Sequence, residues 1–472
     1  MHAEKILVDI GRLREIERPG TSPGRARRAM AAVHAGPEGA LMALPVTRRD
    51  VTAALALSCL SGVVRGHAVS AQERGASPAI GDRVNRLERQ LEDLRGTLKI
   101  PGISAAVVKD QKLLWVKGFG SADVENTTAA TPETNYRIAS LTKPFASTLL
   151  MQLVERGKLD LDEPMAKYSP EFRQRFGRGP ITVRHVLTHT SHDPSGDTYW
   201  YDGYRFSFLS DVVARASGHP FRELLVKNIL DAIGMADSVP GQDVLDDRAK
   251  WSAFLDADHA RRYEAGLGKL AKPYRLDGAG TVRSIYPPRG ISAAAGLVSN
   301  VIDLAKYDLA IDAHTLVRAE TQGRAWTPAT TFDGRKLPYG LGWFVQSHEG
   351  ARLVWHYGYW PESFSSLYLK LPERKLALLL LANSDGLSAP FSLGGGDVTR
   401  SAFAGSFLRI FVREESLGRA LPDPRWSQAN DRFNAEVEQI ATQTGGYRYD
   451  AEKASHELLT RWLDDRRRAA PR

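Results

Sequence analysis

Residues 136–145 read YRIASLTKPF, and this stretch predicts both the fold and the chemistry of the chain. Ser140 and Lys143 are three residues apart, so on a helix they lie on the same face. Pro144 fits only the first turn of a helix, which places the pair at the start of a helix from about Ser140 to Gly157. Backbone N–H groups there favour developing negative charge. A desolvated lysine one turn away can take the serine proton, so the pattern indicates an activated nucleophile.

Two further motifs lie downstream, Tyr201-Asp202-Gly203 and, on a predicted strand, His356-Tyr357-Gly358. Amphipathic spacing predicts a helix over residues 82–98, and mainly short helices are predicted between residues 181 and 300. A further helix, packed on the sheet, is predicted over residues 397–412. Apolar runs bounded by turn residues predict strands near both ends of the chain, at 103–108, 113–116, 343–345, 353–356, 365–371 and 375–381. Strands from both ends with helices between them predict an α+β fold, with one antiparallel sheet of about five or more strands.

The order and surroundings of these motifs resemble the serine β-lactamase and penicillin-binding protein superfamily, in its class C-like branch. That branch includes class C β-lactamases, D-amino-acid peptidases and family VIII esterases. The resemblance covers about residues 85–412 and includes the segments GISAAVVKDQKLLWVKGFG (102–120), LTHTS (187–191), AAGLVSNVIDLAKY (294–307) and YGLGW (339–343). It implies the β-lactamase/transpeptidase-like fold, an antiparallel sheet flanked by helices with an adjoining helical subdomain. It also implies an acyl-serine mechanism that needs no cofactor.

Carried over position by position, the resemblance makes Ser140 the nucleophile and Lys143 its partner. Tyr201 corresponds to the family tyrosine that relays the proton, and either Lys143 or Tyr201 could be the base for acylation. The backbone N–H groups of Ser140 and Tyr359 would form the oxyanion hole. The remaining motif residues, catalytic His356 and substrate-binding Gly203, Tyr357 and Gly358, would contact the substrate.

Two positions depart from the family pattern. The second residue after the tyrosine is usually asparagine, but here it is Gly203, and the third motif begins with His356 instead of lysine. Histidine is mostly neutral at pH 7 and would gain its proton on acidification. Both changes favour small esters or amides that lack the carboxylate of β-lactams.

Two alternative functions stay open. The first is a true class C-like β-lactamase or D,D-carboxypeptidase. The second, in another class, is a penicillin-binding-like sensor or scaffold without turnover.

Other features limit the possible partners. The net charge of +8 is spread thinly apart from the run Arg466–Arg468, which does not predict nucleic-acid binding. No apolar run approaches the ~20 residues of a membrane helix, and a single cysteine, Cys59, excludes a disulfide scaffold. The pair His185 and His189, followed by His192 and Asp193, has zinc-like spacing, but LTHTS resembles a family segment with a structural histidine, so no metal is predicted. We expect a monomer acting on small esters, amides or β-lactams, with peptidoglycan-derived peptides among the candidate substrates.

The N-terminal segment resembles an export signal. Arg48-Arg49 precede an apolar stretch from Val51 to Val64, and Val69-Ser70-Ala71 offers a cleavage site. The arginine pair suggests twin-arginine export, and hence a periplasmic or secreted protein. Met42 then becomes the expected translation start. The predicted organisation is an extension and signal peptide over 1–71, a hydrolase domain over 72–415 and a helical C-terminal tail over 416–472.

Overall fold

A seven-stranded antiparallel sheet forms the centre of the protein in the computed structural model, which describes residues 78–176, 180–277, 280–417 and 421. Its strands are β1 (Gly102–Lys109), β2 (Lys112–Asp123), β3 (Thr128–Ala129), β8 (Phe344–His348), β9 (Ala351–Trp360), β10 (Phe364–Leu371) and β11 (Leu376–Ala382). Their order is β3-β2-β1-β11-β10-β9-β8. Strands from the two ends of the chain therefore meet at the β1–β11 pair, where Ile103 lies opposite Ala382. The predicted α+β fold with one antiparallel sheet is confirmed.

Four short strands lie outside this sheet and form two pairs. In chain order they are β4 (Tyr136–Arg137), β5 (Tyr274–Asp277), β6 (Gly280–Arg283) and β7 (Val298–Ser299). Strand β4 pairs with β7, and β5 pairs with β6 as a hairpin that the sequence patterns did not predict. The β4–β7 pair matters for the site, because it ties the segment before Ser140 to the segment after Ala294.

Helices cover both faces of the sheet. In chain order they are α1 (Pro78–Thr97), α2 (Lys143–Glu155), α3 (Met165–Tyr168), α4 (Pro170–Phe176), α5 (Val183–Leu187), α6 (Gly203–Ser207), α7 (Leu209–Ser217), α8 (Phe221–Leu225), α9 (Ala257–Gly268), α10 (Val301–Asp312), α11 (Ala319–Ala325), α12 (Ala402–Leu408) and α13 (Glu414–Leu417). One apolar core joins α2 and the helical region to the sheet, and a second joins α1 and α12 to its other face. Because both faces are covered, every residue of β11 is buried.

Two helices begin or end differently from the predictions. The first turn of the helix expected from Ser140 is a 3₁₀ turn, Ala139–Thr142, and α2 follows from Lys143 to Glu155. The helix expected over 397–412 is divided into a 3₁₀ turn, α12 and a π turn over Arg409–Arg413. No helix within the described ranges is long and apolar enough to cross a membrane. The predicted signal segment and nearly all of the predicted tail lie outside the described residues.

Candidate active site

Ser140 lies in the 3₁₀ turn that leads directly into α2, and its side chain is half-buried. Ala139, just before it, has a φ of 50°, a left-handed conformation that costs a non-glycine residue about 1–3 kcal/mol. Thr142 holds the turn in place: its Oγ1 donates to the Ala139 carbonyl at 2.8 Å and accepts from the Leu297 N–H at 3.2 Å. The serine is therefore presented on a strained turn that its neighbours keep fixed.

Lys143 is completely buried, and its amine points at the serine. Its Nζ donates to the Ser140 Oγ at 2.9 Å and to the Ala294 carbonyl at 3.2 Å. Burial lowers the pKa of Lys143 from 10.5 to about 7, and the nearby Asp202 carboxylate acts in the opposite direction. At neutral pH a large fraction of the lysine is thus unprotonated, and this amine is within hydrogen-bond distance of the hydroxyl it would activate.

Tyr201 lies on the other side of Lys143, whose Nζ is 4.9 Å from the centre of the tyrosine ring. Burial raises the pKa of Tyr201 well above 10, although the neighbouring Ser140 hydroxyl acts to lower it. The buried phenol oxygen has no hydrogen bond of regular geometry. The phenol is therefore a proton donor at neutral pH, and its oxygen is available to a reacting group.

His189, the histidine of LTHTS, holds the backbone that carries Tyr201. Its Nδ1 accepts from the Asp202 N–H at 3.0 Å, and its carbonyl accepts from the Trp200 N–H at 2.9 Å. The imidazole is buried, which lowers its pKa well below 6.5 and leaves it neutral. The residues before and after Tyr201 thus both donate a backbone hydrogen bond to neutral His189, in agreement with the structural role predicted for this histidine.

The two histidines with zinc-like spacing both use a ring nitrogen for local backbone contacts. The Nδ1 of His185 accepts from the Thr182 N–H at 3.3 Å, which completes the N-terminal cap of α5. The Nδ1 of His189 accepts from Asp202, as described above. Among the described residues, no group of three or more His, Cys, Asp or Glu side chains is arranged to hold a metal ion.

His356 is completely buried on β9, and both of its ring nitrogens are hydrogen-bonded. Its Nδ1 donates to the Tyr357 carbonyl at 2.7 Å, so its Nε2 accepts from the Tyr339 hydroxyl at 2.8 Å. Burial, together with the charge of Lys143, lowers the pKa of His356 well below 6.5. The expectation that mild acidification would protonate His356 is therefore wrong, because the imidazole has no access to water and lies near another cation.

Gly358 brings β9 against the turn that carries the serine. A Cβ atom at this position would lie 2.1 Å from the Ile138 carbonyl oxygen and 2.2 Å from the Ser366 Oγ, so only glycine allows the approach. Tyr359 follows on the same strand, opposite Ser365 of β10. The two backbone segments predicted to form the oxyanion hole, at Ser140 and Tyr359, are thus held side by side.

The other two predicted substrate-binding residues have different environments. Tyr357 is mostly buried, and its ring lies 5.6 Å from the ring of Tyr201, so its side chain supports the tyrosine. Gly203 opens a space beside the lysine, because a Cβ atom there would lie 3.7 Å from the Lys143 Nζ. The side chain usual in the family at position 203 would thus face Lys143, and glycine leaves this place unfilled.

The sequence analysis missed two contributors to the site. Tyr339, in the YGLGW segment, is buried and fixes the His356 ring through its hydroxyl. The glycine-rich stretch at 394–396 lies over the tyrosines, since the Gly394 carbonyl accepts from the Tyr199 hydroxyl at 3.0 Å. The YGLGW motif was a usable signal for Tyr339, whereas the glycine stretch offered none because its partners are about 200 residues away.

Comparison with known proteins agrees with this architecture. The family model "Beta-lactamase" matches residues 84–394, more than half of the chain. Protein flp of Staphylococcus aureus (strain MW2) is 24% identical over 331 residues, which are 62% of this chain and 61% of that protein. The mouse serine beta-lactamase-like protein LACTB, mitochondrial, is 40% identical over 121 residues, 25% of this chain and 21% of the relative. The chain thus spans only part of the length of either relative.

Solved structures show the same relationship. The octameric penicillin-binding protein homologue from Pyrococcus abyssi superposes with a TM-score of 0.56 and 26% identity, over 76% of this chain and 81% of that chain. The D-amino acid amidase from Ochrobactrum anthropi SV3 shares the fold, with a TM-score of 0.54 and 20% identity over 71% of this chain and 99% of that chain. Together with the extent of the family match, the buried Ser140–Lys143 pair on this fold shows that the chain belongs to the Beta-lactamase family, within the serine β-lactamase and penicillin-binding protein superfamily.

Proposed function

We propose that the protein is a serine hydrolase that cleaves small esters or amides through an acyl-Ser140 intermediate. The observation that carries the proposal is the hydrogen bond of 2.9 Å between the Lys143 amine and the Ser140 hydroxyl, with the lysine completely buried. Burial makes the amine a base at neutral pH, whereas the same burial keeps the Tyr201 phenol protonated. These opposite effects support Lys143 as the base for acylation and Tyr201 as the proton donor.

The steps follow from this assignment. Neutral Lys143 takes the proton of Ser140 as the Oγ attacks the substrate carbonyl, and the oxyanion is stabilised by backbone N–H groups at Ser140 and Tyr359. Tyr201 gives its proton to the leaving alcohol or amine as the carbonyl bond to that group breaks, and the lysine proton restores the phenol. Water then attacks the acyl-serine, and the same groups return its proton to the Ser140 oxygen as the acid leaves.

The proposed substrate class is acyl compounds without a carboxylate near the β9 strand. His356 stands where the family has a lysine, and its imidazole is neutral and engaged on both nitrogens. A substrate carboxylate there would lose a charge-assisted hydrogen bond, typically worth about 1.5–3 kcal/mol. Gly203 removes a further polar contact beside Lys143. Short-chain esters should therefore be cleaved with a higher kcat/KM than β-lactams.

A substrate panel with a nucleophile variant tests the proposal. We expect hydrolysis of short p-nitrophenyl esters with a higher kcat/KM than that of nitrocefin or D-alanyl peptides. Ser140→Ala should abolish turnover and labelling by a fluorophosphonate, whereas Ser207→Ala, a nearby serine outside the reaction path, should retain both. Turnover by Ser140→Ala would contradict the assignment. A burst of one product per protein without a steady state would instead support the acylated sensor.

Export remains a separate proposal, supported by the segment from Arg48 to Ala71. We propose that the segment directs twin-arginine export and is cleaved near Ala71, so that the mature protein acts in the periplasm or outside the cell. Intact-mass analysis of the fractionated protein should give an N-terminus at about Gln72. Replacing both Arg48 and Arg49 with lysine should retain the full-length chain in the cytoplasm, and full-length wild-type protein confined to the cytoplasm would contradict export.

A further inference from the structure

Asp202, between Tyr201 and Gly203, makes more polar contacts than either neighbouring motif residue. Its backbone N–H donates to His189, its Oδ1 accepts from the Arg205 N–H at 2.9 Å, and its Oδ2 lies 3.0 Å from the His192 Nε2. The Arg205 guanidinium lies 3.6 Å from the same Oδ2. The residue therefore caps the N-terminus of α6 and is held at its backbone and at both carboxylate oxygens.

The Asp202 carboxylate also affects the electrostatics around Lys143. The position that would face the amine most directly, 203, has no side chain. The polar and titratable groups near the lysine are Ser140, Tyr201, His189, His356 and Asp202. Both histidines are buried and neutral, and Tyr201 is a protonated phenol. Among these groups, Asp202 supplies the negative charge.

We propose that Asp202 is a positioning residue of the active site, which fixes the backbone of Tyr201 and places a negative charge toward Lys143, with His192 and Arg205 as the anchors of its carboxylate. The proposal rests on the proposed function, because it explains how Lys143 and Tyr201 keep their relative positions in a site that has no side chain at position 203. When Lys143 accepts the serine proton, a desolvated ammonium forms, and the Asp202 carboxylate offsets part of its charge from the protein side.

The consequence of this arrangement is electrostatic. Burial lowers the pKa of Lys143, and the Asp202 carboxylate partly offsets that effect. Removing the charge should lower the pKa of Lys143 further, because the Asp202 carboxylate favours the protonated form of the lysine. Asparagine is as good a helix cap as aspartate, so Asp202→Asn removes the charge and keeps the cap.

The direct test is an NMR titration of Lys143 in protein labelled at lysine ¹³Cε, with the resonance assigned by Lys143→Arg. We expect its titration midpoint to fall to a lower pH in Asp202→Asn. The acid limb of the kcat/KM profile for a p-nitrophenyl ester should move to lower pH by a similar amount. Asp256→Asn is the matched control, since Asp256 also caps a helix, α9, and contacts a histidine, His259, at 2.8 Å. This control should leave both midpoints unchanged.

The outcomes separate this proposal from the proposed function. An unchanged Lys143 midpoint in Asp202→Asn would overturn the role of Asp202, whatever the activity. Absence of ester hydrolysis in the wild type would count against the proposed function, while the NMR titration would still decide the present proposal. In an active enzyme, His192→Ala should lower kcat several-fold, and His192→Gln, which keeps an N–H donor, should restore most of it. Equal loss in both variants would exclude His192 as an anchor through its hydrogen bond.

Discussion

Replacing Lys143 with methionine should stabilise the fold while it abolishes activity. The lysine is completely buried, and its pKa is about 7 instead of 10.5. Each pH unit of that gap is worth about 1.4 kcal/mol, so the protonated side chain is disfavoured by about 5 kcal/mol in the folded protein relative to the unfolded chain. Methionine has a similar length and fills the same space without a charge.

The size of the effect depends on pH in a defined window. Below about pH 7, Lys143 is protonated in both states and the unfavourable contribution is complete. Between pH 7 and 10.5 the unfolded chain keeps the proton and the folded protein does not, so the wild type gains stability as pH rises. The advantage of methionine should thus fall from about 4 kcal/mol at pH 7 to about 2 kcal/mol at pH 9. Methionine also loses the hydrogen bonds to Ser140 and Ala294, and this loss reduces the stability advantage at pH 7 and at pH 9 by a similar amount.

Urea unfolding, followed by circular dichroism at pH 7, 8 and 9, measures this difference. The decisive quantity is the unfolding free energy of Lys143→Met minus that of the wild type, which should decrease by about 2 kcal/mol over the range. Lys167→Met is the control, because the Lys167 side chain is 57% exposed and its replacement should give a difference that hardly changes with pH. A difference for Lys143→Met that is equally independent of pH would refute the argument that burial deprotonates this lysine.

Three further changes probe the rest of the structure. Gly358→Ala should lower kcat/KM by more than about 100-fold, because its Cβ would displace β9 from the Ile138 carbonyl. Gly405→Ala is the control and should retain activity, since a Cβ there meets no atom. Equal activity of the two variants would contradict this prediction. Lys370→Met should destabilise the protein by about 3–5 kcal/mol in denaturant unfolding, because it leaves the buried Asp308 and Asp312 without their shared cation. A loss below about 1 kcal/mol would show that these ion pairs are not needed. His356→Gln should leave the acid limb of the kcat/KM profile in place, since one neutral side chain replaces another, and a moved limb would mean that His356 titrates there.

Much of the fold could be predicted from the sequence because its signals are local. The alternation and length of apolar runs predicted β1, β2 and the strands β8 to β11, and Pro144 indicated where a helix begins. The spacing of Ser140 and Lys143 also predicted their proximity, since residues three apart share a helix face. Local patterns could not predict the 3₁₀ turn over Ala139–Thr142, because this turn depends on the Thr142 hydroxyl and on its contact with Leu297, far along the chain.

The protonation states of the site were decided by tertiary structure. Lysine and histidine carry the same ordinary pKa wherever they occur in a sequence, and only their surroundings change it. Burial lowers the pKa of Lys143 to about 7, and part of that burial comes from distant segments such as the Ala294 carbonyl, 151 residues away. His356 is kept neutral by burial and by the nearby charge of Lys143, which the sequence alone did not reveal. Sequence thus determined which residues meet at the site, whereas packing of distant elements determined which of them carries a proton, because desolvation is a property of the assembled core.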